Sequence, residues 1–355
     1  MTPAVFDHVV IGSSALARLL AGLLAGEHAR RVLFVGESQS GYRLPRGVDL
    51  SVAPVTRPET WALLTNGVAE TLRLAGRIGG RGTFQHLDPI FFAATTPAVE
   101  ALSHTRHMAA GFGLKVEPAP SSLVGASRHG VIVRDAIRLN PAVIEPALDR
   151  WMAAQGVASS TPDSVSVAMD GSAVLAVGNA RIEARNAVLA DSAAIIAHLP
   201  LRQWTPLLQR IQTATLLTTP TQPLAAPVMV DLDSGATLVQ QPEGGIAGIG
   251  HGDLAAVSRR MQDLLGTQRQ VELAGQTAYP LLATADGAPA FGRAAGQGAD
   301  VVAGLGAFGA FLAPALARWL AGKSSAVEAD WFGQRLINRS AVGAPVADYH
   351  PGMRL

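Results

Sequence analysis

The sequence predicts an α/β chain, α+β overall: a Rossmann-like domain built of discontinuous segments, with a mixed, antiparallel-rich sheet domain inserted between them. Three observations predict it. The first forty or so residues alternate a β-branched run, an apolar run at helical spacing and a second apolar run around a glycine turn. The middle of the chain carries short alternating runs separated by turn dipeptides. From Asp286 onward the opening style returns, with a short apolar strand, a glycine turn and a helix.

In chain order, Phe6–Ile11 reads as a strand, Ser14–Glu27 as a helix and Arg31–Val35 as a second strand ending at Glu37. A Gly/Pro/Arg-rich loop, Ser38 to Arg46, leads to a helix over Pro58–Gly76. Asp88–Ala94 reads as a strand, and Pro97–Gly111 as a helix with Pro97 at its first position. Asn140 as cap, Pro141 in the first turn and Gly156 past the end bound another helix. Asp170-Gly171 and Gly178-Asn179 divide Asp163–Asp191 into a small meander ending in the strand Ala187–Ala190. Strands dominate to Gly250, followed by a helix at Asp253–Leu265 and a strand at Val271–Tyr279. Asp300–Ala303 is then a buried strand, Gly304–Gly309 a glycine turn and Phe311–Ala321 a helix. The domain plan that follows assigns 1–80, 135–200 and 285–335 to the Rossmann-like domain, 81–134 and 201–284 to the inserted one, and 336–355 to a tail.

Composition excludes several function classes. At 355 residues the chain exceeds the usual size of one core. Lys plus Arg number 28 against 27 for Asp plus Glu, which leaves no electrostatic footprint for nucleic acid or an anionic membrane surface. With no cysteine there is no disulfide, no thiolate metal site and no cysteine nucleophile, and no other spacing suggests a metal. Met1 to Asp7 lack the pattern of a signal peptide, so a cytoplasmic location is expected by default. Val301–Leu320 is almost wholly apolar and the mean hydropathy is +0.26, yet Gly304, Gly306, Gly309, Pro314 and Arg318 interrupt it. It reads as a buried strand plus a helix, without a membrane span.

The turn Gly12-Ser13-Ser14-Ala15-Leu16-Ala17 follows the first strand and opens the first helix, where a dinucleotide-binding unit needs glycine, glycine and a small third residue. Gly12 and Ala17 satisfy the first and third positions. Ser14 departs from the second: its side chain intrudes near a phosphate, although its hydroxyl and N–H at a helix N-terminus also suit an anion. Glu37, 25 residues after Gly12, ends the second strand where a ribose diol would be held. A β-α-β unit that has lost its ligand and keeps Gly12 only for the turn is the alternative. Gly304-Leu305-Gly306-Ala307-Phe308-Gly309 repeats the glycine pattern without a second β-α-β unit, so it reads as a set of backbone N–H groups suited to partial negative charge.

Taken together, Val9–Glu37, Arg138-Leu139-Asn140-Pro141 with Pro146-Ala147-Leu148 and Gly156-Val157, the strand Ala187–Ala190, and above all Asp286-Gly287-Ala288-Pro289 with Gly292, Val301–Gly309 and Ala313-Pro314-Ala315 carry a resemblance. Over nearly its whole length the chain resembles the D-amino-acid oxidase, glycine oxidase and sarcosine oxidase family of FAD-dependent oxidoreductases. The resemblance implies an oxidase or dehydrogenase that oxidises an amine or amino-acid-like small molecule by hydride transfer to the flavin. FAD would be held non-covalently. It places cofactor contacts at Gly12, Ser13, Ser14, Ala17, Glu37, Ser38, Arg43, Val165, Ala190, Gly304, Gly306, Ala307, Phe308, Gly309 and Ala310, with the last block at the flavin N1/O2 edge.

Where the family commonly has an Arg-Pro pair before the Asp-Gly-x-Pro turn, this chain has Tyr279-Pro280. Tyrosine cannot grip a carboxylate in bidentate fashion, which puts an ordinary free α-amino acid in doubt. Tyr42, Arg43 and Arg46 stand where small residues often lie against the flavin, and either arginine is a replacement cation, a pyrophosphate contact or a solvated loop residue. Tyr279, His251 and Arg46 are the candidate substrate contacts. No catalytic constellation is visible, as expected where the flavin carries the hard step. Two further readings stay open: a same-fold flavoenzyme tailoring a peptide or natural product, and a catalytically degenerate subunit working with a protein partner or a second copy.

Overall fold

The computed structural model describes residues 5–37, 43–266, 269 and 271–352; Ser38 and Tyr42 of the loop after Glu37 lie outside these. Along the chain run β1 (Val5–Ile11), α1 (Ala15–Gly26), β2 (Val32–Val35), α2 (Pro58–Gly79), β3 (Phe84–Leu87), β4 (Ile90–Ala93), α3 (Thr96–Gly111), β5 (Val116–Ala119) and α4 (Ser121–Val124). The middle adds β6 (His129–Val133), β7 (Ala136–Leu139), α5 (Pro141–Ala154), β8 (Ala158–Ser159), β9 (Ser164–Val167), β10 (Ala173–Val177), β11 (Ala180–Leu189) and α6 (Ser192–His198). The remainder comprises β12 (Leu208–Thr218), β13 (Val228–Asp231), β14 (Thr237–Gln240), β15 (Ile246–His251), α7 (Leu254–Leu265), β16 (Leu273–Thr284), β17 (Ala290–Arg293), β18 (Asp300–Ala303), α8 (Ala313–Leu320) and α9 (Ala326–Gln334).

One sheet has the order β17-β18-β11-β1-β2-β8, with the β9–β10 hairpin paired to β11. Its centre is parallel: Ile11 lies opposite Leu189 on β11 and Val35 on β2. Both faces of these strands are covered, which is why Val9 and Val10 are alike fully buried despite pointing in opposite directions. Helix α1 packs between α5 and α8, and its run from Ala15 to Leu24 is buried throughout. The second sheet, β16-β12-β15-β14-β13-β4-β6-β5, joins two distant stretches of sequence where β13 runs parallel to β4. Helix α7 seals one side of it with Val257 and Met261.

The chain end ties the two sheets together. Arg339 makes a two-pronged pair with Asp286, at 2.7 and 2.9 Å. Asp348 accepts from the Thr56 N–H and hydroxyl, and Tyr349 donates its hydroxyl to the Leu232 carbonyl.

Elements read from local pattern stand within a few residues of expectation, and the departures have physical causes. Strand β16 continues through Pro280 to Thr284, because β16 is an edge strand and the missing N–H is tolerated there. Residues 306–312 form a 3₁₀ helix, so the α-helix starts at Ala313 and not at Phe311. Thr96 precedes Pro97 as the first residue of α3, and Asn140 makes no side-chain capping bond. Among the described residues no helix is long and apolar enough to cross a membrane.

Where β1 and β2 end side by side, the Gly12 N–H donates to the Val35 carbonyl at 2.9 Å, and a Cβ on Gly36 would overlap the Gly12 carbonyl oxygen. Backbone meets backbone there, so nothing flexible can yield. Gly36→Ala is therefore expected to cost about 2 kcal/mol or more of stability, as overpacking against a fixed partner does. Urea denaturation measures it, and an unchanged midpoint would contradict this packing.

Candidate functional site

Strand β1 is terminated by Gly12, whose φ is +156° and whose Cβ, if present, would lie 2.9 Å from Asp191 Oδ2 and 3.0 Å from the Ala17 Cβ. Ala17, fully buried, is thus small for the reason the fingerprint requires. Ser14 plays a different part from the one expected. With φ at −79° it needs no glycine, and its hydroxyl turns back to accept from the Ala17 N–H as the N-cap of α1. The anion position in front of the turn belongs to Asp191. Its Oδ2 accepts from the Ser13 N–H at 2.6 Å and the Ser14 N–H at 3.2 Å, while Oδ1 accepts from the Ala194 N–H at 2.9 Å and caps α6. The carboxylate is carried there by Ala190, whose N–H extends the β11 ladder onto the Ile11 carbonyl.

Behind the turn lies Arg18, 1% exposed. Its Nη1 donates to the Ser13 carbonyl and its Nη2 to the Glu37 carbonyl, both at 2.6 Å, while Nε pairs with Asp149 of α5 at 2.8 Å. One guanidinium therefore fixes the turn, the end of β2 and α5. Glu37 lies two residues beyond the end of β2, which stops at Val35 and not at Glu37. Its N–H donates to the Ser13 hydroxyl, and its exposed carboxylate pairs with Arg43.

Acidic groups crowd this end of the sheet. Burial pushes the Asp49 carboxyl up to about 6, with Arg138 opposing. Burial likewise pushes Glu145 up to about 7, where Arg18 opposes and Asp49 and Asp149 add to the rise.

The C-terminal glycine block reaches the same place. Gly309 packs on Leu16 of α1, and the Ala307 carbonyl accepts from the Leu50 N–H at 2.8 Å. Phe308, Gly309 and Ala310 are buried, Gly304 and Ala307 half-buried, and Gly306 exposed.

The second sheet contributes a row of side chains. Thr213 of β12 lies opposite His251 of β15 on one side and Tyr279 of β16 on the other, so all three face the same way. Tyr279 is buried, and its hydroxyl donates to the Arg46 carbonyl at 3.0 Å. Thr215 donates to the Pro45 carbonyl at 2.7 Å, and the Arg46 guanidinium stands 5.1 Å from the Tyr279 ring centre. Tyr279 and Arg46 thus meet, with the tyrosine gripping the loop. His251 instead stacks on His350 of the tail, 5.8 Å between ring centres. Burial, with His350 and Arg260, pulls it down to about 4, so it is a neutral imidazole at neutral pH. Between these residues the buried Thr213 hydroxyl has no partner among the described residues.

The structure brings Gly12, Ser13, Ser14, Ala17, Glu37, Arg43 and Ala190 together around the N-terminus of α1. Of the Gly304–Ala310 block, Gly309 packs on Leu16 of α1, whereas Gly304 lies against Thr284 and Pro289. The structure does not bring Val165 to the N-terminus of α1. Val165 pairs with Leu175, and Leu175 with Ile182, at the Val5 end of β1 and not at the Ile11 end. Ser38 lies outside the described residues. Sequence reading missed Asp191, although Asp-Ser-Ala-Ala after an apolar strand is a capping pattern. It also missed Arg18, the one charge within the apolar α1. Trp319 and Trp331 pack with Phe291 and Phe332, and His86 pairs with Asp135 at the surface. Among the described residues no His, Asp and Glu group could hold a metal.

A turn that seats a carboxylate oxygen on two adjacent N–H groups has the donor geometry of an anion site, and in this structure the Asp191 carboxylate occupies it. The fit to the pyrophosphate of a dinucleotide is therefore good in donor geometry, on condition that Asp191 gives way.

No family model matches the chain, and no curated protein matches it by sequence. Among solved structures, L-proline dehydrogenase from P. horikoshii superposes with a TM-score of 0.72 at 16% identity, covering 93% of this chain and 97% of that one. Glycine oxidase from Geobacillus kaustophilus gives 0.68 at 16% identity, covering 93% and 98%. Iminodiacetate oxidase from Chelativorans sp. BNC1 gives 0.69 at 15% identity, covering 92% and 98%. The chain has the fold of these oxidases and dehydrogenases, as its sequence resemblance implies.

The acid cluster has a consequence for stability. Glu145 prefers the protonated form in the folded chain, so its contribution is fully present below its ordinary value of 4.5 and is lost as pH rises through about 7. Glu145→Gln should raise the melting temperature by a few degrees at about pH 8 and leave it unchanged at about pH 4. An equal shift at both pH values would contradict a buried, neutral-preferring carboxyl.

Proposed function

We propose that the chain is a FAD-dependent oxidoreductase, an oxidase or dehydrogenase, that oxidises an amine or amino-acid-like small molecule at a C–N bond. The observation that carries this reading is the pair of Ser13 and Ser14 N–H groups that seat an anion at the N-terminus of α1, with Glu37 bonded to the Ser13 hydroxyl and Gly309 packed on Leu16. The names of the fold neighbours support the substrate class, since proline, glycine and iminodiacetate are all amines. Fold alone transfers less safely than a site, so the weight rests on the turn.

FAD, when bound without a covalent link, supplies the two-electron acceptor. The chain's own residues do the rest. The Ser13 and Ser14 amides would bind the pyrophosphate, and Glu37 would hold the ribose diol once Arg43 yields. The first sheet, from segments 1–80, 135–200 and 285–335, forms the cofactor half. Segments 81–134 and 201–284 present the row of Tyr279, Thr213 and His251 as the substrate half. Arg46, held over the Tyr279 ring, restores a cation to a face that lacks the arginine expected at 279, and Thr213 offers an unpartnered hydroxyl. A neutral His251 places no positive charge beside a substrate amine.

A second reading, a catalytically degenerate subunit, is favoured by one observation. The loop at Pro45 and Arg46 is bound to Thr215 and Tyr279 on the face that substrate would use.

Reconstitution separates the two. The purified protein incubated with FAD should acquire a flavin band that denaturation releases, and anaerobic proline, glycine or iminodiacetate should bleach it. Gly12→Val, whose added atoms collide with Asp191 and Ala17, should lose the band. A wild-type protein that takes up no FAD overturns the proposal, and FAD uptake with no reduction by any amine transfers it to the degenerate reading.

A further inference from the structure

We propose that Asp191 sets the cofactor affinity of this chain by acting as an internal anion that competes with the dinucleotide for the β1–α1 turn; this rests on the FAD-binding reading above. The two N–H groups a pyrophosphate oxygen would use are the two that Oδ2 already holds. A phosphate approaching that position meets a carboxylate of like charge, so binding requires the side chain to leave. The seat is a strong one for any anion. Arg18 donates to the Ser13 carbonyl, which polarises the same peptide unit whose N–H, on Ser14, faces Asp191.

Departure is feasible because the two carboxylate oxygens have divided duties. Oδ1 caps α6 through the Ala194 N–H and Oδ2 serves the turn, and the residue is only half-buried. Shorter or neutral N-cap residues keep the first duty and relinquish the second. Asp191 thus closes the turn in the absence of ligand and raises the cofactor concentration at which the site fills.

The test uses the full-length apo protein with Asp191→Ser and Asp191→Asn, both competent helix caps, titrated with FAD and separately with ADP. Binding is read by calorimetry and flavin fluorescence, and melting temperature with and without ligand is the second readout. Both variants should bind FAD and ADP at least tenfold more tightly than wild type. Without ligand they should melt at or below the wild-type temperature, and with saturating FAD above it. Wild type binding FAD as tightly as the variants, or more tightly, overturns the competition while leaving the FAD reading intact. No FAD binding by wild type or either variant, with all three folded, overturns both.

Discussion

A single carboxylate joins two helix N-termini. Asp191 Oδ2 accepts from the first amides of the β1–α1 turn, and Oδ1 accepts at the start of α6. Because β1 and β11 are parallel neighbours in register, their ends arrive together, and the two positive helix ends that follow would repel without an anion between them. The starts of α1 and α6 are tied to each other through that seat, which the β11 ladder positions by way of Ala190. The chemistry of the site follows as well, since two N–H groups at a helix N-terminus favour an acceptor with negative charge.

The same end of the sheet shows how buried charge is kept tolerable. Arg18 is fully enclosed, yet each arm of its guanidinium has a partner, in the Ser13 and Glu37 carbonyls and Asp149. A buried cation so paired contributes little net stability but is costly to break, which makes it a device for fixing geometry. Asp49 and Glu145 are placed otherwise, and their burial favours the neutral acid. The site thus presents a polarised anion seat with weakly ionising carboxyls beside it.

What was legible in the sequence was local. The β1-α1-β2 unit, Gly12, Ala17 and Glu37 are all set by near-neighbour geometry, and the structure places them close to where the pattern did. Ser14 was legible as a departure but not as a cap, because the hydroxyl's choice between an outside phosphate and the Ala17 N–H depends on what else fills the turn. Asp191 lies 178 positions from Ser13, and no local period connects them. The parallel pairing of β13 with β4 and the grip of Tyr279 on the Arg46 carbonyl escaped for the same reason. That Val165 stands at the Val5 end of β1 was not legible either, because a small meander says nothing about which end of the neighbouring strand it adjoins.

The most direct measurement is a crystal structure of the wild-type protein with ADP at saturating concentration. Diphosphate oxygens on the Ser13 and Ser14 N–H groups, with the Asp191 side chain turned out of the seat and still capping α6, are the expected result. ADP bound elsewhere, or absent, with Asp191 still holding both amides would contradict the assignment of this turn as the cofactor site.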